Sequence, residues 1–140
     1  KVSKTVCLQY ITTYYKNIKI NKLEYGLHIH CPNGGTPKDG PSAGSGITLA
    51  IISFITNKKI RNTFAITGEI DLDGNVIQIG GLHSKLNGAK SAGVQTVLCP
   101  KMNEPDYNNI IEKDPTLIDD SFTVLFVENI KEVVDLMLIK

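Results

Sequence analysis

Residues 63–93 read TFAITGEIDLDGNVIQIGGLHSKLNGAKSAG. Residues 63–71 are strand-forming in type. Leu72 to Asn75, with Asp73-Gly74 at its centre, predicts a hairpin turn, and Val76 to Ile79 returns as the partner strand. Gly80 and Gly81 break that strand. His83 to Ala92 follows as a helix, stopped by Gly93 in the position of a C-terminal cap. One run of sequence therefore carries a strand pair and a helix.

Upstream, SAGSGITLAIISFI (42–55) is apolar nearly all round and long enough for a buried helix, and Pro41 just before it favours a helix start. It follows a Gly- and Pro-dense loop, PNGGTPKDGP (32–41), and a short alternating stretch, LHIHC (27–31), that predicts a strand. On that strand Leu27, Ile29 and Cys31 face one way and His28 and His30 the other. Val6, Tyr10, Tyr14 and Ile18 recur every fourth residue, so 2–18 is expected to be helical. Downstream, Thr96 to Cys99 is a buried strand ended by Pro100. Residues 104–112 form a short helix or loop, and Thr123 to Val127 another strand. Glu128 to Ile139 closes as a helix with Ile130, Val133, Val134, Met137 and Leu138 on one side. The interleaving predicts one α/β or α+β domain over 1–140, with a mixed β-sheet and flanking helices.

Composition excludes several classes. The chain of 140 residues is 41% hydrophobic and 21% charged, with 15 basic and 14 acidic residues and a net charge of +1. That is a globular composition, not a disordered one, and it gives no electrostatic case for nucleic acid as a partner. Cys7, Cys31 and Cys99 are few and widely spaced, which points to a reducing intracellular compartment and not to a disulfide framework. No apolar run reaches the roughly 20 residues a membrane helix needs. The chain opens at Lys1 and is expected to be a piece of a longer protein. Abundant Ile, Lys and Asn suggest an AT-rich genome.

Ser42 sits where a tight loop meets a helix start. Free N–H groups and the helix dipole favour negative charge there, so an alkoxide or tetrahedral oxyanion would be stabilised. The same position suits a plain N-cap serine, and local pattern alone favours the cap. Gly35 to Ser42 also approaches the phosphate-binding pattern G-x-x-x-x-G-K-[ST]. Pro41 stands where its lysine belongs and removes a backbone donor, and Lys38 is no obvious substitute. A base for Ser42 could be a histidine (His28, His30 or His83) or a desolvated lysine. Lys85, flanked by Leu82, Leu86 and Ala89, is a candidate. His28, His30 and Cys31, with Cys99, make a poor zinc set, because successive strand residues face opposite ways.

The segment HIHCPNGGTPKDGPSAG (28–44) resembles the nucleophile segment of Lon proteases, H-V-H-x-P-x-G-x-x-P-K-D-G-P-S-A-G. The likeness continues in order through TGEIDLDGNVIQIGGLHSKLNGAKSAGVQTVLCPKMNE (67–104) and FTVLFVENIKEVVDLML (122–138). The resemblance implies the Lon proteolytic-domain fold, which is like that of ribosomal protein S5 domain 2, without its first strands. It implies Ser42 as nucleophile and Lys85 as base, with Thr67 orienting the lysine. Asp39 would be a loop aspartate that blocks or clears the site, and His28 and His30 supporting residues. Backbone groups at Gly40, Pro41, Ser42 and Ala43 would surround the oxyanion, and Gly80 and Gly81 would form the turn that lets the lysine helix approach. His83 stands where many relatives carry another lysine.

The activity implied is endopeptidase cleavage of unfolded or misfolded polypeptides, without a metal or cofactor in this segment. ATP and magnesium are expected on an ATPase module outside the chain, and six subunits in a ring. The compartment implied is the mitochondrial matrix for a eukaryotic source and the cytoplasm otherwise. The alternatives are an ATP-independent Lon-like protease, a nucleotide-binding module using the Gly35–Ser42 loop, and a catalytically inert scaffold. The retained Ser42, Thr67 and Lys85 speak against the last.

Overall fold

The computed structural model describes residues 1–18, 26–30 and 40–139. Its elements in chain order are α1 (Val2–Tyr14), α2 (Gly44–Thr56), β1 (Phe64–Ile66), β2 (Glu69–Ile70), β3 (Val76–Ile77), α3 (Leu82–Ser91), β4 (Thr96–Pro100), α4 (Glu104–Lys113), β5 (Thr123–Val127) and α5 (Ile130–Met137). A 3-10 turn, Lys101–Asn103, joins β4 to α4. Among the described residues no helix is long and apolar enough to cross a membrane.

The strands β1, β4 and β5 form a parallel sheet in the order β1-β4-β5. Phe64 pairs with Thr96, and Thr96 with Thr123. Side chains alternate across β4, so it feeds a core on each face. Leu98 joins the core made by α1, α2 and α5. Val97 and Cys99 join the core under α3 and α4, with Leu86 and Phe122. Burial of each such side chain contributes about 1.5–3 kcal/mol. The expected α+β architecture holds, with parallel and antiparallel pairing carried by two separate sheets.

The antiparallel pair is the predicted hairpin, with Glu69 opposite Ile77 and Ile70 opposite Val76. Asp71 builds its turn. One carboxylate oxygen accepts from the amides of Asp73 (2.9 Å) and Asn75 (2.8 Å), the other from the Asn75 side chain (2.8 Å). The strand expected over 63–71 is in fact divided at Thr67 and Gly68. Phe64 to Ile66 belong to the parallel sheet and Glu69 and Ile70 to the hairpin. The break arises because the amide and carbonyl of Gly68 bond to the start of α2 and not to a strand.

Other expectations change in extent. The helix expected over 2–18 ends at Tyr14, and its buried residues are Val6, Cys7, Tyr10 and Ile11. A spacing of four overruns the 3.6-residue turn, so Tyr14 rotates out of the core and is 51% exposed. Ile18 reaches that core from beyond the helix. Residues 26–30 are not a strand. Alternation makes a strand only where a neighbouring strand takes up the backbone groups, and no described strand pairs with these residues. The stretch 104–112 is helical, and α3 ends before Gly93 as expected. At α5 the Asn129 side chain caps the Glu132 amide (3.1 Å), and the Glu132 carboxylate accepts from the Glu128 amide (2.8 Å). That reciprocal cap starts the helix at Ile130, two residues later than expected.

Candidate active site

The carboxyl ends of the parallel strands gather Thr67 after β1 and Asn103 after β4. In open α/β sheets this is the end where ligands bind. The Thr67 amide extends the pairing of β1 with β4 by donating to the Leu98 carbonyl (3.1 Å), and the residue is only 8% exposed.

Ser42 is tied to this end by its backbone. Its carbonyl accepts from the Gly68 amide (2.9 Å), and the Ser45 amide (3.0 Å) and hydroxyl (2.9 Å) both donate to the Gly68 carbonyl. The approach requires glycine: a Cβ at Gly68 would stand 2.5 Å from Val76 Cγ1 and 3.0 Å from Ser45 Oγ. The Ser42 segment and the Thr67-Gly68 junction are thus one backbone unit.

Ser42 is not the helix N-cap. That position belongs to Ala43, and no side chain caps the helix. The amides that a capping serine would serve are already taken: Gly44 donates to the Pro41 carbonyl (2.9 Å) and Ser45 to Gly68. The half-buried Ser42 hydroxyl makes no hydrogen bond to any described residue, and neither do the amides of Ser42 and Ala43. Pro41 leaves the expected oxyanion set, since proline has no N–H to give.

Lys85 lies in the first turn of α3, and its amide donates to the Gly81 carbonyl (3.2 Å). Gly81 precedes the helix at φ 66, a left-handed conformation that glycine adopts freely. Lys85 Nζ donates to the Gly80 carbonyl (3.1 Å). The side chain is exposed, so the desolvation expected of a lysine base is not supplied by the described residues. Lys85 and the Ser42 hydroxyl are not hydrogen-bonded to each other.

The segment before Gly80 is held by a residue that sequence reasoning passed over. Asn103 is fully buried and makes three hydrogen bonds: its Oδ1 accepts from the Ile79 amide (3.0 Å), and its Nδ2 donates to the Ile79 carbonyl (2.9 Å) and to Asp106 (2.8 Å). The available signal was an Asn soon after a buried strand ended by proline.

Among the described residues, no hydrogen bond links a histidine to Ser42, Thr67 or Lys85. His28 is exposed and lines a cleft of about 410 Å³ along α2 with Leu27, Ile47 and Ile51. A second cleft, of about 280 Å³, runs beside Gly40, Pro41 and Ala43 and shares Ile47 with the first. His30 is exposed. His83 pairs with Asp114 across α3 and α4 (3.3 Å) and holds that carboxyl below its usual range. Cys99 is sealed in the core, where burial pushes its thiol up to about 12, the setting of an unreactive structural cysteine. Cys31, Lys38, Asp39 and most of the Gly35–Ser42 loop lie outside the described residues.

A family model described as Lon protease (S16) C-terminal proteolytic domain matches residues 1–140. The chain is 39% identical over 140 residues to the Lon protease of Borrelia duttonii, a match covering 98% of this chain and 17% of that protein. It is 41% identical over 130 residues to a Lon protease homolog of Acanthamoeba polyphaga mimivirus, covering 93% and 13% respectively. To Lon protease 2 of Thermus thermophilus it is 43% identical over 113 residues, covering 81% and 14%. The chain therefore spans less than a fifth of the length of these relatives.

Proposed function

Because the chain belongs to the Lon protease family, as its C-terminal proteolytic domain, we propose that it hydrolyses peptide bonds with Ser42 as nucleophile and Lys85 as base. The observation that carries this is the backbone clamp between Ser42 and Gly68, beside Thr67, with the serine hydroxyl free of any capping duty.

The chemistry is acyl transfer. Neutral Lys85 takes the Ser42 proton, and the alkoxide attacks the peptide carbonyl. The amides of Ser42 and Ala43 face the developing oxyanion. Lys85 then returns its proton to the leaving amine, and an acyl-enzyme remains. Water, deprotonated by the same lysine, attacks the ester and releases the acid, with Ser42 reprotonated. A neutral amine has two N–H groups and one lone pair. A carbonyl acceptor at Gly80 and the Thr67 hydroxyl would occupy the first two and turn the lone pair to Ser42.

In this reading the chain works within an ATP-dependent protease whose ATPase module, with ATP and magnesium, lies elsewhere in the protein. Its substrates are unfolded polypeptides, its assembly a hexameric ring, and its site of action intracellular, in the mitochondrial matrix if the source is eukaryotic. The exposure of Lys85 suits this arrangement, because bound peptide and neighbouring subunits would exclude water from it.

The test is turnover of an unstructured peptide by the full-length protein. Ser42→Ala should abolish it. Lys85→Ala should lower kcat by roughly a hundred- to ten-thousand-fold, the usual worth of a positioned base. Parental turnover in either variant would sink the dyad. Cleavage at full rate without ATP would favour an ATP-independent relative instead.

A further inference from the structure

We propose that Asn103 is a positioning residue for Lys85, acting through the Ile79–Gly80 backbone. The inference rests on Lys85 serving as the base. Lys85 Nζ touches one acceptor among the described residues, the Gly80 carbonyl. Gly80 and Gly81 have no side chains to fix their peptide planes, and among the described residues no heavy atom beyond its chain neighbours comes within 4 Å of where a Gly80 Cβ would stand. The carbonyl that meets the lysine keeps its direction only if the chain is held on both sides of it.

Both sides are held. After the glycines, the Lys85 amide donates to the Gly81 carbonyl and locks the helix start (3.2 Å). Before them, Asn103 grips Ile79 by both its backbone polar groups. One planar amide thereby sets the peptide plane leading into Gly80. The orientation of that amide is itself determined: its oxygen must meet the Ile79 N–H, and its nitrogen must meet the Ile79 carbonyl and the Asp106 carboxylate. Gln78 Nε2 reaches the same Asp106 oxygen at 3.5 Å. Asn103 ends the 3-10 turn that follows β4, the strand buried in both cores, and is itself fully buried, so its own position is fixed by packing.

A buried amide also satisfies backbone groups for stability alone, and kinetics separates the two roles. In the full-length protein, Asn103→Ala should lower kcat by about ten- to a hundred-fold, as a misdirected catalytic group does, with KM unchanged. Asp106→Ala, which frees the Asn103 amide without opening the core, should lower kcat less. Asp106→Asn should restore it, because its side-chain oxygen still accepts from Asn103. Parental kcat in both alanine variants would overturn the proposal, and so would a KM that rises in step with the loss. If Asn103→Ala does not fold, the Asp106 pair decides: a fall in kcat that Asn restores supports the proposal, and an unchanged kcat overturns it. Lys85→Ala, measured alongside, separates the premises. Turnover retained there removes the base itself, whereas turnover lost there but kept in the Asn103 and Asp106 variants removes only the positioning role.

Discussion

At the scale of single residues, the site depends on close approach. Gly68→Ala places a methyl against Val76 Cγ1, a stiff β-branched neighbour that is 2% exposed. Overpacking of this kind costs about 1–3 kcal/mol. The variant should therefore unfold at lower urea concentration, and it should lose peptidase activity beyond its loss of stability because Ser42 and Thr67 shift with the junction. Unchanged urea and activity curves would show that the clamp has slack. Ser42 and Lys85 could be proposed from sequence because PKDGPSAG is long and specific. No role could be read for Asn103, since its partner Ile79 lies 24 positions earlier and both bonds to it go to backbone. The failure of the N-cap expectation has a similar cause: the Gly68 carbonyl that displaces a serine cap comes from a distant strand end.

At the scale of elements, the hairpin was the most legible feature, because an Asp-Gly turn between apolar runs carries its own geometry. Its turn also titrates. Desolvation works against the Asp71 carboxylate, but the hydrogen bonds from Asn75, Asp73 and Gly74 outweigh it and hold the carboxyl below its usual range. The folded value is the lower one, so the turn's contribution is present above the ordinary carboxylate range, near about 3.9, and is lost as pH falls through the folded value. Thermal melts taken between neutral and strongly acid pH should show the acid loss reduced in Asp71→Ala. An identical acid slope would remove Asp71 from the pH dependence. The loop before β5 follows the same sign. Lys90, and then Ser121, hold the Asp119 carboxyl far below its usual range, and Lys90 also donates to the carbonyls of Thr116 and Leu117. Lys90→Met should loosen residues 114–121, detectable as faster amide exchange there. Helix lengths were less legible than the hairpin, because where α1 stops depends on rotation away from the core and where α5 starts depends on a side-chain cap.

At the scale of the whole molecule, β4 joins the two cores, and sensitivity to substitution should follow it. Leu98 is fully buried in the centre of the sheet, and Leu98→Ala should cost about 2–5 kcal/mol in a urea titration. Leu125, on the edge strand and 39% exposed, should cost within about 0.5 kcal/mol on the same change. Comparable losses at both would contradict the sheet order. The layout of layers was legible in outline from the alternation of strands and helices, whereas the split into two sheets was not, since it turns on a single glycine facing α2. The hairpin that results is anchored at its entry by Gly68 on Ser42 and at its exit by Ile79 on Asn103. It therefore serves as a ruler between the serine end and the lysine end. One residue inserted in either arm would flip every side chain after it and change the measured gap. Across related chains, the number of residues from Gly68 to Ile79 should vary less than their identities do.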